Sequence, residues 1–359
     1  MRKHYLDNIR WITVVIVVIY HVLYMYNAEG VAGGIGRITD LPVQYYDGFQ
    51  YLVYPWFMPV LFLVSGISAR LFLDSHSDKE FIKSRTQKLL VPSTIGLFAF
   101  QFLQGYVNLS LGGGFEGLAG AGVPKPLIFL IMVASGSGVL WYMHLLWIYC
   151  MVLVLIRKAE KGRLLQLGAR TSLWQMTLFL FLIWGAAQIL NAPIVAVYRG
   201  GFYFAFFMLG YFVFSNDEVI ERLKKIAVVL IVAAVAICIV FFVLNFGENY
   251  ADKPINRGLL FSLDAYVGSL AMLSAMARFG DFSDSFTKWM SSHSFGLYVF
   301  HYLGISSVAL IFGKQGLLPA PACYILSLLA GFIFGYGLYA IISRIPFYRW
   351  AVLGIKKER

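Results

Sequence analysis

Residues 227–244 read AVVLIVAAVAICIVFFVL, eighteen positions without one charged side chain. A helix of that length rises about 27 Å at 1.5 Å per residue, close to the roughly 30 Å of bilayer hydrocarbon. It has no polar face to turn to water, so it reads as a membrane span rather than a surface helix. The span itself is bounded at 225–246, and further apolar stretches lie on both sides of it: 9–27, 51–71, 89–108, 137–156, 174–191, 201–215, 258–277, 294–312 and 321–343. The stretch 201–215 is short, and Pro126–Ala134 reads as re-entrant or interfacial. The expected fold class is all-α integral membrane, a bundle of about ten transmembrane helices.

Composition agrees with that reading. Hydrophobic residues make up 60% of the 359 and charged residues 13%, against roughly 45–50% and 25% in soluble domains. Mean hydropathy is +0.74. A net charge of +11 would suggest nucleic acid in a soluble chain. Here the basic residues sit in short loops between apolar spans, where they set topology against anionic lipid, and no nucleic-acid partner is expected. With the N-terminus placed in the cytoplasm, only Arg37, Lys125, Arg199, Lys253, Arg257 and Lys314 of the 29 Lys and Arg fall outside. The rest, from Arg2 and Lys3 to Lys357 and Arg359, fall inside. That asymmetry predicts an even number of spans with both termini cytoplasmic.

Cys150, Cys238 and Cys323 lie in apolar stretches without ligand-like spacing, so neither a disulfide framework nor a metal site is expected. The first span is followed by Asn27-Ala28-Glu29-Gly30 with no small-residue cleavage site, so it is not a signal peptide. The larger outer loops, about 28–50 and 109–136, are Gly-rich, and Tyr45, Tyr46, Phe49 and Tyr51 lie in or beside the first. These aromatics read as an interfacial belt or, alternatively, as a stacking surface for a sugar ring. No internal repeat of the kind common in transporters is visible.

Ionisable groups inside spans are costly, so each is a functional candidate. They are His21, His144, His301 and Asp264, with Arg10 at the inner end of the first span. Ten residues lie between Arg10 and His21, and the eleven steps return to within about 20° of the same helix face. Asp7 precedes Arg10 by three and can pair with it. Imidazole is suited to take a proton from a hydroxyl near neutral pH, and an arginine at the rim suits a phosphate. The structural alternative for His21 is a polar group satisfying a neighbouring helix.

A second cluster joins Phe62-Leu63-Val64-Ser65-Gly66 to the basic segment of Lys83, Arg85 and Lys88. That segment serves equally as a lipid-headgroup anchor or a nucleotide-phosphate contact. A third, Ser294 to His301, puts Tyr298 and His301 three apart on one face. His144, beside Trp141 and Tyr142, reads as interfacial, and Asp264 as a group orienting a histidine, holding a sugar hydroxyl, or simply buried and hydrogen-bonded.

Several of these stretches together resemble the acyltransferase-3 family of membrane O-acyltransferases. Tyr5-Leu6-Asp7-Asn8-Ile9-Arg10 followed by His21 is similar to its helix-one motif, and Phe62–Gly66 to its second signature. Arg85-Thr86-Gln87-Lys88 resembles its Arg-x-x-Arg motif, with Lys in the last place, where a point charge grips an anion less well than a guanidinium fork. Leu140-Trp141-Tyr142 and Ser294–His301 resemble two further motifs. The wording Met58-Pro59-Val60-Leu61-Phe62-Leu63-Val64-Ser65-Gly66 is similar to a branch that includes glucan-modifying succinyltransferases.

The resemblance implies an acyltransferase domain in a cell membrane; some members carry a fused extracytoplasmic domain, and the expectation over residues 1–359 is a single domain without one. It implies a cytoplasmic acyl-CoA donor, acetyl-CoA or succinyl-CoA, a carbohydrate-type acceptor at the outer side, and no metal. Arg10, Ser65, Arg85 and Lys88 would hold the donor. His21 would be the general base, and Tyr298, His301 or Asp264 would orient it or stabilise the oxyanion. A lipid-linked glycan exporter is the alternative, against which stand the absent repeat and the scarcity of charges within the spans. A non-catalytic scaffold that keeps the fold is the third reading.

Overall fold

The computed structural model describes residues 3–192 and 198–356 and is all-helical across them. Arg2, Lys357 and Arg359, counted above among the inner cations, lie outside the described residues. In chain order the helices are α1 (His4–Met25), α2 (Gly48–Leu73), α3 (Asp78–Arg85), α4 (Val91–Gly96), α5 (Phe102–Leu111) and α6 (Gly114–Gly120). Next come α7 (Lys125–Ser135), α8 (Trp141–Glu160), α9 (Arg163–Ala169), α10 (Leu173–Ala186), α11 (Gly200–Phe212) and α12 (Asp217–Lys225). The last are α13 (Ala227–Asn245), α14 (Leu259–Phe279), α15 (Ser285–Val308), α16 (Ala320–Ile342) and α17 (Pro346–Leu353). Short π-helical turns at Thr86–Leu90, Leu97–Gln101 and Ala309–Gly313 continue α3, α4 and α15.

Among the described residues, eight helical stretches are long and apolar enough to cross a membrane: His4–Met25, Tyr45–Leu73, Asp78–Leu111, Gly138–Glu160, Ala227–Asn245, Leu259–Phe279, Ser285–Gly313 and Ala320–Ile342. These correspond to eight of the ten expected spans. The two expected at 174–191 and 201–215 are α10 and α11, of 14 and 13 residues. At 1.5 Å per residue they extend about 21 and 20 Å, less than the roughly 30 Å hydrocarbon layer. Ser172 ends α10 sharply at its N-terminus through a reciprocal capping box with Gln175. Pro126–Ala134 lies in α7, an 11-residue helix too short to span.

The chain divides into two compact units. One contains Met1–Thr13, Gly48–Lys83 and Leu145–Ser291; the other contains Val14–Asp47, Ser84–His144 and Ser292–Arg359.

The first unit is organised on α2 and α11. A Cβ on Gly66 would run into the carbonyl of Phe207 and the amide of Tyr211, and one on Gly210 into the carbonyl of Leu63. The two helices thus meet backbone to backbone, as small residues allow when lipid removes the usual hydrophobic drive for association. Phe62 stacks on Tyr203 at 4.8 Å beside that crossing. Pro55 and Pro59 lie inside α2, a position that membrane helices tolerate when neighbours satisfy the freed carbonyls. The opening motif is pinned in this unit as well. Asp281 accepts from Tyr5 N at 3.0 Å, and Asn8 Nδ2 donates to the carbonyls of Gly280 and Phe282 at 2.8 and 2.9 Å.

The second unit gathers the remainder of α1 with α4, α5, α6, α7, α16, α17 and most of α15. The loop after α1 folds back on its last turn: Ile35 N donates to Met25 O at 2.8 Å, and Asn27 Oδ1 accepts from Val31 N at 2.9 Å. In the same loop Asp47 accepts from Ala28 N and Gln44 Nε2, and Glu29 lies near it. Burial, and then the Asp47 carboxylate, push the Glu29 carboxyl from the usual 4.5 up to about 7.

Gly66→Val is expected to destabilise the protein by about 1–3 kcal/mol through overpacking, seen as a lowered thermal unfolding midpoint in detergent; an unchanged midpoint contradicts the close crossing. The raised Glu29 pKa means the folded loop holds a proton that the unfolded chain releases. Its stabilisation is full below about pH 4.5 and lost as pH rises through about 7. Hydrogen exchange of residues 27–44, corrected for intrinsic rate, should quicken across that window in the wild type and not in Glu29→Gln.

Candidate active site

The second unit brings His21 and His301 together. His301 Nε2 lies 3.2 Å from His21 Nδ1, and the rings are 5.0 Å apart at 51°. Each imidazole is also held by its own helix. His21 Nδ1 is 2.8 Å from Val17 O, one turn back on α1, and His301 Nδ1 is 3.0 and 2.9 Å from the carbonyls of Leu297 and Tyr298 on α15. Both residues therefore need a helix that delivers a side chain at i and a carbonyl at i−4 to the same spot.

Carbonyl oxygens only accept, and this fixes the tautomers. His301 donates from Nδ1 to its two carbonyls, leaving a lone pair on Nε2. His21 donates from Nδ1, shared between Val17 O and that lone pair. His21 Nε2 is then the nitrogen with a lone pair to offer, and it has no hydrogen-bond partner among the described residues. His301 is fully buried, whereas His21 is half-buried. The lone pair on Nε2 thus belongs to the less buried of the two imidazoles.

Tyrosines surround the pair. The rings of Tyr20, Tyr24 and Tyr302 meet the His21 ring edge-on at 5.3, 5.7 and 5.2 Å. Two of them also tie down the Gly-rich loop. Tyr302 Oη donates to Gly33 O at 3.0 Å, and Tyr24 Oη donates to Ala32 O. Gly33, at φ +113°, has no room for a Cβ against the Tyr24 hydroxyl, so this strap is built for glycine. Its backbone carbonyls accept from two of the tyrosines whose rings meet His21.

The other sequence candidates fall as follows. Tyr298 contributes its carbonyl to His301, while its hydroxyl donates to Val139 O and its ring meets Tyr142 at 6.0 Å. His144 Nε2 is 2.6 Å from Ser93 O. Arg85 and Lys88 lie in the second unit, Arg85 half-buried at the end of α3 and Lys88 exposed in the π-helical turn. Arg10 and Ser65 lie in the first unit. Arg10 is paired with Asp7 at 2.7 Å, as the i, i+3 spacing suggested, and also donates to the Ser68 hydroxyl. With 36% of its side chain exposed, it retains a wet edge. Asp264 is in the first unit, fully buried, and neither carboxyl oxygen has a hydrogen-bond partner among the described residues.

Val17, Tyr24 and Tyr302 at the imidazole pair, and Ser68 beside Arg10 in the first unit, are residues that sequence reasoning did not single out. Ser68 is three residues past Ser65 on the same helical face, and Tyr302 directly follows His301. Those spacings were available as signals. Val17 acts only through its carbonyl and has no side-chain signature.

Eight helices of spanning length among the described residues mark a multi-pass membrane protein, and two imidazoles meet within one of its units. A family model described as an acyltransferase domain matches residues 3–342, nearly the whole chain, and the chain belongs to that acyltransferase-3 family of membrane acyltransferases. No curated protein and no solved structure matches it.

The tautomer assignment predicts that ¹⁵N spectra of histidine-labelled protein show His21 and His301 protonated on Nδ1. His301→Phe should leave the His21 Nδ1 proton to Val17 O alone and shift its resonance. An Nε2-protonated His21 in the wild type contradicts the assignment.

Proposed function

We propose that this membrane acyltransferase moves an acyl group from acyl-CoA to a hydroxyl of a carbohydrate-type acceptor, with His21 as the general base. The observation that carries the reading is the free lone pair on His21 Nε2, whose opposite nitrogen is held by His301 and Val17. A base must present an unprotonated nitrogen in a fixed direction, and this arrangement supplies both.

The chemistry balances through one imidazole. The acceptor oxygen attacks the thioester carbonyl while its proton passes to His21 Nε2. The carbon–sulfur bond then breaks, and the departing thiolate recovers that proton as CoA thiol. His301, through its Nε2 lone pair, supports the His21 Nδ1 proton as the imidazolium forms. Excluding water from this step suppresses hydrolysis of the thioester, and the glycine strap over Tyr24 and Tyr302 is suited to that task.

The donor reading, acetyl-CoA or succinyl-CoA, rests on the family and on Arg85 and Lys88 as phosphate ligands, with Arg10 and Ser65 as further contacts. Arg10 is the least available of these because Asp7 already neutralises it. The carbohydrate reading rests on the resemblance and on the tyrosines of the loop after α1, where Tyr45 is 75% exposed. The loop charges favour a cytoplasmic donor, an acceptor at the outer side and both termini inside, in the cell membrane.

Purified protein in nanodiscs, given radiolabelled acetyl-CoA or succinyl-CoA and a panel of glycans, tests this directly. Glycan-dependent release of CoA is expected from the wild type. Loss of about 10²–10⁴-fold is expected in His21→Ala with folding intact, the size of a general-base contribution. Release that is equal in His21→Ala removes the base assignment, and absence of any acyl-CoA binding removes the donor.

A further inference from the structure

Arg199 reads in the sequence as one of the outer-loop cations, a residue expected to lie wet at the membrane surface. The structure buries it, with only 2% of the residue exposed. Arginine is almost never so enclosed unless it is paired. In the first unit it forms the N-cap of α11, and its guanidinium folds back over the first turn of that helix, 4.0 Å from the centre of the Phe202 ring. The Phe261 ring, in the first turn of α14, lies 4.7 Å away. Nη2 donates to the carbonyl of Asn256, which is itself buried. Nε and Nη1 are enclosed without a hydrogen-bond partner among the described residues.

The charge is left unmet along with the donors. A guanidinium does not give up its proton, so its positive charge enters the protein with it. The groups that bear on that charge are the phenols of Tyr203 and Tyr54 and a second cation, Arg257. Among the described residues no carboxylate forms an ion pair with Arg199. Asp264, one turn beyond Phe261 on α14, accepts no hydrogen bond at either oxygen and so does not supply the missing contact. Glu248 and Asp252, in the loop before α14, are exposed, and Asp252 accepts from Asn249 at 3.1 Å. Residues 193–197, just before Arg199 in the chain, carry no ionisable side chain in the sequence. Two aromatic faces and one carbonyl offset only part of the cost of withdrawing a charge from water. An anion at the remaining N–H groups offsets the rest.

We propose that Arg199 binds a small inorganic anion, of the size of chloride, at the N-terminus of α11, through the guanidinium N–H groups that no described residue takes. A water molecule would accept from one of those groups and leave the charge unmet. The positive end of the α11 dipole favours an anion at the same place. Tyr54, Tyr203, Phe202 and Phe261 around the guanidinium are all buried, which suits a single ion and not an esterified phosphate headgroup. The bound ion would stabilise the contact of Arg199 with α14 and with the turn at Asn256. This site is independent of the acyl-transfer reading, since the imidazole pair belongs to the other unit.

Full-length protein in nanodiscs of uncharged lipid would be unfolded thermally while chloride replaces gluconate at constant ionic strength. The wild-type midpoint should rise with chloride, by a constant increment for each further tenfold once the site is filled. The ³⁵Cl resonance should show excess linewidth with the wild type, removed by added bromide. Arg199→Met should lose both responses, and Arg199→Lys should need about tenfold more chloride, the equivalent of one charge-assisted hydrogen bond. Lys253→Gln, which removes an exposed cation of the same loop, should respond as the wild type does. A wild-type midpoint equal in chloride and gluconate, with no excess linewidth, overturns the proposal. So does a response that persists in folded Arg199→Met, or one lost in Lys253→Gln, which places the ion on the loop surface. If Arg199→Met fails to fold, the wild-type linewidth and the Arg199→Lys and Lys253→Gln comparisons decide the matter.

Discussion

An imidazole set in an apolar helix bundle needs partners for its ring nitrogens from the helices that carry it, because the hydrocarbon offers none. That constraint shapes the second unit. The carbonyls at Leu297 and Tyr298 fix His301, the lone pair so created meets His21, and Val17 closes the remaining demand on Nδ1. Each partner is a backbone carbonyl or the other ring, so nothing charged is required to orient His21. The tyrosines pack around this arrangement, and two of them carry the glycine strap.

In the first unit, cations are matched by carboxylates a turn or a helix away, and Asn8 and Asp281 lock the opening of α1 to the turn before α15. Arg10, the arginine most readily picked out in the sequence, is already neutralised by Asp7 and is thereby less available to a ligand.

Much of this was legible in the sequence, and the rest has identifiable reasons for being hidden. Uncharged runs such as 227–244 declare a span because length and apolarity alone decide it. The stretches that became α10 and α11 read as spans because their composition is apolar, yet the Ser172 cap and the break after Ala186 shorten the first, and composition does not register either. The i, i+3 relation of Asp7 to Arg10 appeared as an ion pair because both ends lie on one helix. The relation of Tyr298 to His301 was also read from spacing, but the tyrosine serves through its carbonyl and sends its hydroxyl to Val139. The contact between His21 and His301 joins residues 280 positions apart, a distance over which periodicity carries no information. The same holds for Gly354 against Gln87.

The account depends on His301 acting through its lone pair on the Nδ1 proton of His21, and comparing two substitutions isolates that. His301→Gln keeps a hydrogen-bond acceptor near Nε2, whereas His301→Phe keeps the volume and removes it. Single-turnover acyl transfer in nanodiscs should stay near wild type in the first and fall about 10²-fold or more in the second, with donor affinity unchanged in both. Equal rates in wild type and His301→Phe would contradict the account.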